Sequence, residues 1–462
     1  MKAGDGGTGG RGDGKGARVL ILGGGFGGFY TALGLERILH RAHQVTLVSS
    51  ENYMLYTPLL PEAAAGSLEP RHLVVPLRSA LKRTRTVLGT VTAIDTVARN
   101  VTVQPPEGAS LAVPYDQLVF ALGSSTRMPR SVPGLEENAV GFKNLAEAIW
   151  LRNRVLSHLE MADAAGDPAA RKALLTFVFV GGGYAGVEAA AELFDLARAA
   201  VKYYPSLSRR DIRVVVLEAA GSILRDLGED FAGRVQRHLI DKGIEIRPRT
   251  TLQEVRGDRA VLTGGEEIPT RTVVWTAGVV ANALTQTIPG ERDGRGRLVT
   301  TPELEVRGVP NVWALGDSAA VPDAKSGGAT APATAQHALR QARTLARNLA
   351  ARLDGGRPLA FAHGNLGMLA GLGERDAAGR MFGIPVSGFL AWWFVRTYHL
   401  LQLPTLARKA RVVIDWTIAL FFPRDIAHLG SLGTVRGPRD PARESPAADT
   451  REPRPANRAP TA

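Results

Sequence analysis

The chain of 462 residues contains no cysteine at all. Redox enzymes that cycle a disulfide, and those that oxidise sulfide through a reactive thiol pair, are therefore excluded. Thiolate metal sites are excluded on the same ground, and the nine histidines show no paired ligand spacing, so no metal is expected. Long apolar runs are also missing. The most hydrophobic stretch, near residues 389–401, is interrupted by Arg396 and His399 and falls short of the roughly 20 residues a spanning helix requires. The first 17 residues, MKAGDGGTGGRGDGKGA, lack the apolar centre of a secretory signal and read as a flexible leader, which points to a protein that stays inside the cell.

Charge is unbalanced. Against 44 Asp and Glu stand 56 Lys and Arg, a formal +12 that favours an anionic partner. No zinc-finger or RNA-recognition pattern accompanies the excess, so no nucleic acid partner is expected, and acidic lipid or cofactor phosphates remain.

Two glycine-rich turns stand out against this background: RVLILGGGFGG from Arg18 and FVFVGGGYAGVE from Phe177. Each follows a hydrophobic run and opens an amphipathic one. Glycines in that context permit a tight turn, close backbone approach to a pyrophosphate and helix-on-sheet packing, while the helix N-terminus attracts the phosphate charge. Two such turns imply two dinucleotides, and electron transfer between a nicotinamide and a flavin is the usual reason for pairing them. The expected fold is α/β, with two Rossmann-like doubly wound domains and a C-terminal helical segment. Residues 18–140 and 280–370 would form an FAD domain, 141–279 an inserted NADH domain, 371–435 a membrane-associating region and 436–462 a disordered tail poor in apolar residues.

Within the first half the pattern predicts a strand Arg18 to Leu22, a helix from about Phe29 to His40 and a strand Gln44 to Val48. Within the second it predicts a strand Leu174 to Val180, a helix Val187 to about Tyr203 and a strand Ile212 to Leu217. The acidic residue that closes the second strand of such a unit accepts hydrogen bonds from a ribose. In the second half it is Glu218. Its charge would repel a ribose phosphate and Ala219 and Ala220 supply no cation, which selects NADH over NADPH. The matching position in the first half is Ser49, and either Ser49 or nearby Glu51 could serve the FAD ribose. Asp317, in WALGDSAA, suits a carboxylate on a ribityl chain, and a helix from near Pro332 would turn its positive end to the reduced ring.

From residue 383 to 422 the texture changes: Trp392, Trp393 and Trp416 mix with Arg408, Lys409 and Arg411. An interfacial helix pair fits this mixture, aromatic residues dipping into the headgroup boundary and cations meeting acidic lipid. A homodimer interface is the alternative use of the same face.

In this order GGGFGG, NYMLYTPLLPEAAAG, YDQLVFALGS, GGGYAGVEAAAEL, VVWTAGV, WALGDSA and TAQHALRQA resemble the type II NADH:quinone oxidoreductases, single-subunit, non-pumping respiratory dehydrogenases. The resemblance implies a quinone acceptor and a peripheral place on the cytoplasmic face of the cell membrane. Carried over by position, it implies FAD at Gly23, Gly25, Gly28 and Asp317, with Gly278 and Gly316 in the same cofactor-binding set, and NADH at Gly181, Gly183, Gly186 and Glu218. Glu188 matches the family's glutamate near nicotinamide and flavin. Ala335 and Gln336 match the start of its Ala-Gln-x-Ala-x-Gln quinone motif, and Thr57 would lie near the ring system. The chain departs from the family in one place: Arg340 stands where the second Gln belongs, and Gln341 follows one residue later. Two other readings remain open on the residues alone, a soluble NADH-dependent reductase of a ferredoxin or small carrier and a non-catalytic flavin-bound sensor.

Overall fold

The computed structural model describes residues 16–363, 367–381 and 383–428. Nearly all of the expected leader and all of the expected tail lie outside them. Two parallel five-stranded sheets form the centres of the described chain. In the first, the strands run in the order Val312–Ala314, Gln117–Phe120, Arg18–Leu22, Gln44–Ser49, Arg85–Leu88. The second repeats the plan as Ala139–Val140, Thr272–Trp275, Thr176–Val180, Arg213–Glu218, Glu245–Pro248. The inner strands Gln117–Phe120, Thr176–Val180 and Thr272–Trp275 are buried along their whole length, as their uninterrupted apolar runs require of a parallel sheet covered on both faces.

The helices start earlier than their apolar periodicity suggests. The first runs Phe26–Ile38 and the second Tyr184–Ala200, because the glycine turn itself supplies the N-cap, Gly25 in one and Gly183 in the other. Hydrophobic pattern marks the buried face of a helix but not its first turn. The helix expected near Pro332 begins at Ala335, where the Thr334 side chain accepts the His337 N–H. This helix, Ala335–Leu353, crosses Phe26–Ile38 closely: a Cβ on Gly34 would lie 2.8 Å from the Ala346 methyl. A two-stranded antiparallel ribbon, Ser124–Thr126 with Val279–Ala281, runs between the two sheets. Each sheet also carries a small antiparallel meander.

After a third meander come two helices, Gly388–Gln402 and Leu406–Phe421. They are fastened to the helix Phe26–Ile38 and to the segment between residues 53 and 78. Tyr30 Oη donates to the Gln402 carbonyl at 2.8 Å, Tyr56 Oη bonds His399 Nδ1 at 3.1 Å, and Asp415 accepts the Glu69 N–H at 3.1 Å and bonds His72 at 2.6 Å. Their outer faces leave Phe389, Leu390, Trp393, Leu401, Leu406, Ile414, Ile418 and Phe421 exposed. Trp416, grouped by sequence with the lipid-facing aromatics, turns inward instead. It is buried and donates its indole N–H to Glu62 at 2.7 Å, because Val412 and Trp416, one turn apart, form the inner stripe of this helix.

Candidate functional site

The two glycine turns are near copies. Gly23 and Gly181 adopt φ of +104° and +115°, a region that side chains avoid. A Cβ on Gly28 would lie 1.8 Å from the Gly23 carbonyl oxygen, and one on Gly186 would lie 2.1 Å from that of Gly181. These two glycines therefore let each helix sit on its own turn. Around Gly25 and Gly183, by contrast, a Cβ would meet nothing within 4 Å. That open space lies where the backbone of such a turn approaches a pyrophosphate.

The strand-end residues differ in use. The Glu218 carboxylate accepts the N–H groups of Gly182 and Ala220, both at 2.7 Å, and so ties the second turn to its strand. Ser49 is buried, its hydroxyl accepting the Glu51 N–H at 3.2 Å, while Glu51 is exposed at the mouth of the cleft.

One cleft of about 1190 Å³ joins most of the residues singled out by sequence. Gly23, Gly25, Ser49, Glu51 and Thr57 line it from the first half of the chain, Gly278, Gly316, Asp317 and Ala335 from the return, and Glu188 from the second nucleotide helix. Gly28 and Gly186 are packed beneath their turns. Gly181, Gly183 and Glu218 form the second turn, outside the cleft wall. Gln336 is also off the wall, its amide 3.4 Å from His363 Nε2. Burial pushes the His363 imidazole down to about 4, so it is neutral at physiological pH.

Asp317 accepts from Ser124 Oγ at 2.6 Å and from Lys143 Nζ at 3.3 Å. Lys143 is a cleft residue that sequence reasoning missed. It sits just before the helix Leu145–Ala164, whose Asn144 and Glu147 form a capping box, and nothing local in GFKNLAE announces a partner 174 residues away. Gln341, the displaced second glutamine, is almost fully buried. Its Oε1 accepts the N–H of Gly316 at 2.8 Å, supporting the turn that presents Asp317. The departure from the quinone motif thus leaves Gln341 with a structural task, and Arg340 bonds the Gln336 carbonyl at 3.3 Å.

Glu188 is the most perturbed acid of the cleft. Burial pushes its carboxyl up to about 8, the nearby carboxylates of Glu192 and Glu62 add to the rise, and the Gly371 N–H, donating at 2.9 Å, opposes it. It can therefore carry a proton at neutral pH.

Comparison with known proteins agrees with this geometry. The family model described as pyridine nucleotide-disulphide oxidoreductase matches residues 17–342. A type II NADH:quinone oxidoreductase of Mycobacterium tuberculosis is 31% identical over 427 residues, covering 88% of this chain and 89% of that protein. The chain belongs to the type II NADH:quinone oxidoreductases. A demethylphylloquinone reductase of Synechocystis is 32% identical over 407 residues, covering 86% of this chain and 95% of its own. The structure of NDH2 from Plasmodium falciparum in complex with NADH shares the fold, with a TM-score of 0.82 at 18% identity over 89% of this chain and 99% of that one. The disulfide in the broad family's description has no counterpart in a chain without cysteine. Membership also favours the quinone reading over the ferredoxin-type reductase and the flavin sensor.

As a type II NADH:quinone oxidoreductase the protein needs room for FAD and NADH, and the residues present fit both. The open ground over Gly25 and Gly183 is a cradle that any side chain would narrow, and Gly123 and Gly278 leave the cleft equally clear. Bound there, FAD supplies the two-electron chemistry that connects a hydride donor to an acceptor. What the residues present bring to the cleft is the Asp317–Lys143 polar pair and, on Glu188, a carboxyl that can hold a proton.

A buried carboxyl with a raised proton affinity makes the fold pH-dependent. Its proton binds more tightly folded than unfolded, so the stability it confers is complete below about 4.5, shrinks as pH climbs, and is gone above about 8. The melting temperature of Glu188→Gln should therefore gain on the parent steadily between pH 5 and 8 and then level off. A difference between the two that does not change with pH would contradict the assignment.

Proposed function

We propose that this chain oxidises NADH through FAD and passes two electrons to a quinone at the membrane surface, without pumping protons. The observation that carries the reading is the meeting, in one cleft, of Glu188 from the second nucleotide helix with Asp317, Thr57 and Ala335 from the first nucleotide unit. In this reading the domain division is the one drawn from the sequence. Gly23, Gly25 and Gly28 shape the FAD pyrophosphate turn, Asp317 grips the ribityl chain, and Gly278 and Gly316 keep the walls clear. Either Ser49 or Glu51 takes the FAD ribose: both line the cleft, and the Ser49 hydroxyl, which accepts the Glu51 N–H, keeps its own O–H to donate. Gly181, Gly183, Gly186 and Glu218 receive NADH. The helix Ala335–Leu353 points its N-terminus at the cleft and favours negative charge there. Gln336 and Glu188 are the acceptor-side groups, the second as proton carrier.

The balance of the reaction is NADH, a quinone and one proton giving NAD and a quinol. Quinones dissolve in lipid, and the exposed face of the two C-terminal helices provides a route to it. No helix among the described residues is long and apolar enough to cross a membrane. Peripheral docking on the cytoplasmic face is the proposed location, with Lys409 and Arg411 at the lipid headgroups, while Arg408, expected beside them, donates to the Arg71 carbonyl at 2.8 Å. Binding to acidic vesicles should weaken as salt rises and retain an apolar component. Absence of vesicle binding at low salt, together with a dimer in solution, would turn this face into a homodimer interface.

Glu218 makes the cofactor choice testable. The purified protein with a water-soluble quinone should use NADH far better than NADPH. Glu218→Gln, which removes charge while keeping a polar group on the turn, should narrow the ratio of kcat/KM values by roughly tenfold, the equivalent of about 1.4 kcal/mol. A parent enzyme indifferent to the extra phosphate would sink the role given to Glu218.

A further inference from the structure

Three carboxylates gather at the cleft wall, which Glu188 itself lines. Glu188 and Glu192 lie one turn apart on the helix Tyr184–Ala200, and Glu62 comes from the short helix Leu60–Ala64. Glu192 and Glu62 both act on Glu188 as like charges. Left ionised and uncompensated in a buried setting, such a group would be costly. Each has instead a guanidinium, and both guanidiniums come from the C-terminal segment. Arg396 Nη2 meets Glu62 Oε2 at 3.0 Å. Arg424 Nη2 meets Glu192 Oε2 at 3.2 Å, while its Nη1 donates to the Glu192 and Ala65 carbonyls at 3.2 and 3.3 Å.

Arg396 is held firmly. Its guanidinium lies over the ring of Trp392 at 4.0 Å and of Trp416 at 4.8 Å, a double cation–π contact, and Trp416 donates to the same Glu62 oxygen. Among the remaining groups facing Glu188, Tyr184 lies on its own helix near Asp226, and the Gly371 N–H comes from the strand Gly367–Gly371. Asp195, one turn beyond Glu192, is paired with Lys242 at 2.7 Å. The cations that balance the two carboxylates nearest Glu188 thus arrive on the segment that sequence reasoning assigned only to docking.

We propose that Arg396 and Arg424 are positioning residues for quinone reduction, neutralising Glu62 and Glu192 from the C-terminal segment so that Glu188 can both release and recover its proton. The proposal rests on the function argued above. In the step concerned, the Glu188 O–H bond breaks and its proton goes to one quinone oxygen, while the two electrons and the proton that left NADH together as a hydride complete the quinol. Solvent then returns one proton to the carboxylate, and NADH, quinone and one proton have become NAD and quinol. With either guanidinium gone, the added negative charge tightens the cluster's hold on protons. The C-terminal helices then serve chemistry as well as location.

The test follows the proton itself. Infrared difference spectra of the resting full-length protein, with the Glu188 band identified by its loss in Glu188→Gln, give the pH at which the carboxylic C=O stretch disappears. Arg424→Gln and Arg396→Gln should each move that pH upward by roughly one unit, and the alkaline limb of quinone turnover should move with it. Arg424→Lys, which keeps the charge, should leave both near the parent. The double variant Arg424→Gln with Glu192→Gln, which removes the pair, should bring both back. Bands and limbs that stay in place, with melting temperature and turnover lowered alike at every pH, would make the arginines mere fasteners and overturn the proposal. A parent that reduces no quinone would refute the function instead, and the infrared shift would still decide whether these arginines govern the Glu188 proton.

Discussion

The approach of a helix to the carbonyl oxygen of its own turn is the constraint on which the rest of this molecule depends. At Gly28 and Gly186 a single Cβ would lie about 2 Å from backbone oxygen, so only glycine lets the helix N-terminus come down over the end of the central strand. That descent aims the unpaired N–H groups of the first turn outward, toward where a phosphate can sit. The same solution appears twice, on two parallel sheets that share the order of four strands, the fifth coming last in the chain in one and first in the other. The open cleft, the placement of Asp317 after its strand and the place of Glu188 on the cleft wall follow from the way these two units are set.

A second constraint is electrostatic. Burying acid near a reaction centre raises its proton affinity, and raising it too far would leave a carboxyl that never ionises. Glu188 stands at about 8 with two further carboxylates close by. The chain balances those two with arginines carried on helices that also present an apolar outer face. The C-terminal segment is consequently bound to the core through buried charge, indole and imidazole contacts rather than through apolar packing alone, and Val412, Trp416 and Leu403 are among its few buried apolar residues.

Much of this was readable from the chain. A hydrophobic run followed by glycines at fixed offsets is a local signal, and both turns, their strands and the helix pair at the C-terminus were found from such signals. Asp317 was found in the same way, from its place after a strand and a glycine, whereas Glu188 came from the family resemblance. What escaped was long-range. Lys143 reaches Asp317 across 174 residues, and Arg396 reaches Glu62 across 334. Trp416 looked like an interfacial aromatic because composition cannot tell the inner stripe of an amphipathic helix from the outer one. Gln341 stood one place beyond the family's second Gln, with no role assigned to it from sequence, until its bond to the Gly316 N–H appeared.

The central claim is that one flavin in this cleft is reduced by NADH and reoxidised by a quinone. Anaerobic spectroscopy of the purified flavoprotein tests it most directly, with NADH added first and a water-soluble quinone second. The account predicts that stoichiometric NADH bleaches the flavin absorbance and that stoichiometric quinone restores it. A flavin that NADH leaves oxidised, or that stays bleached when quinone is added, would contradict it.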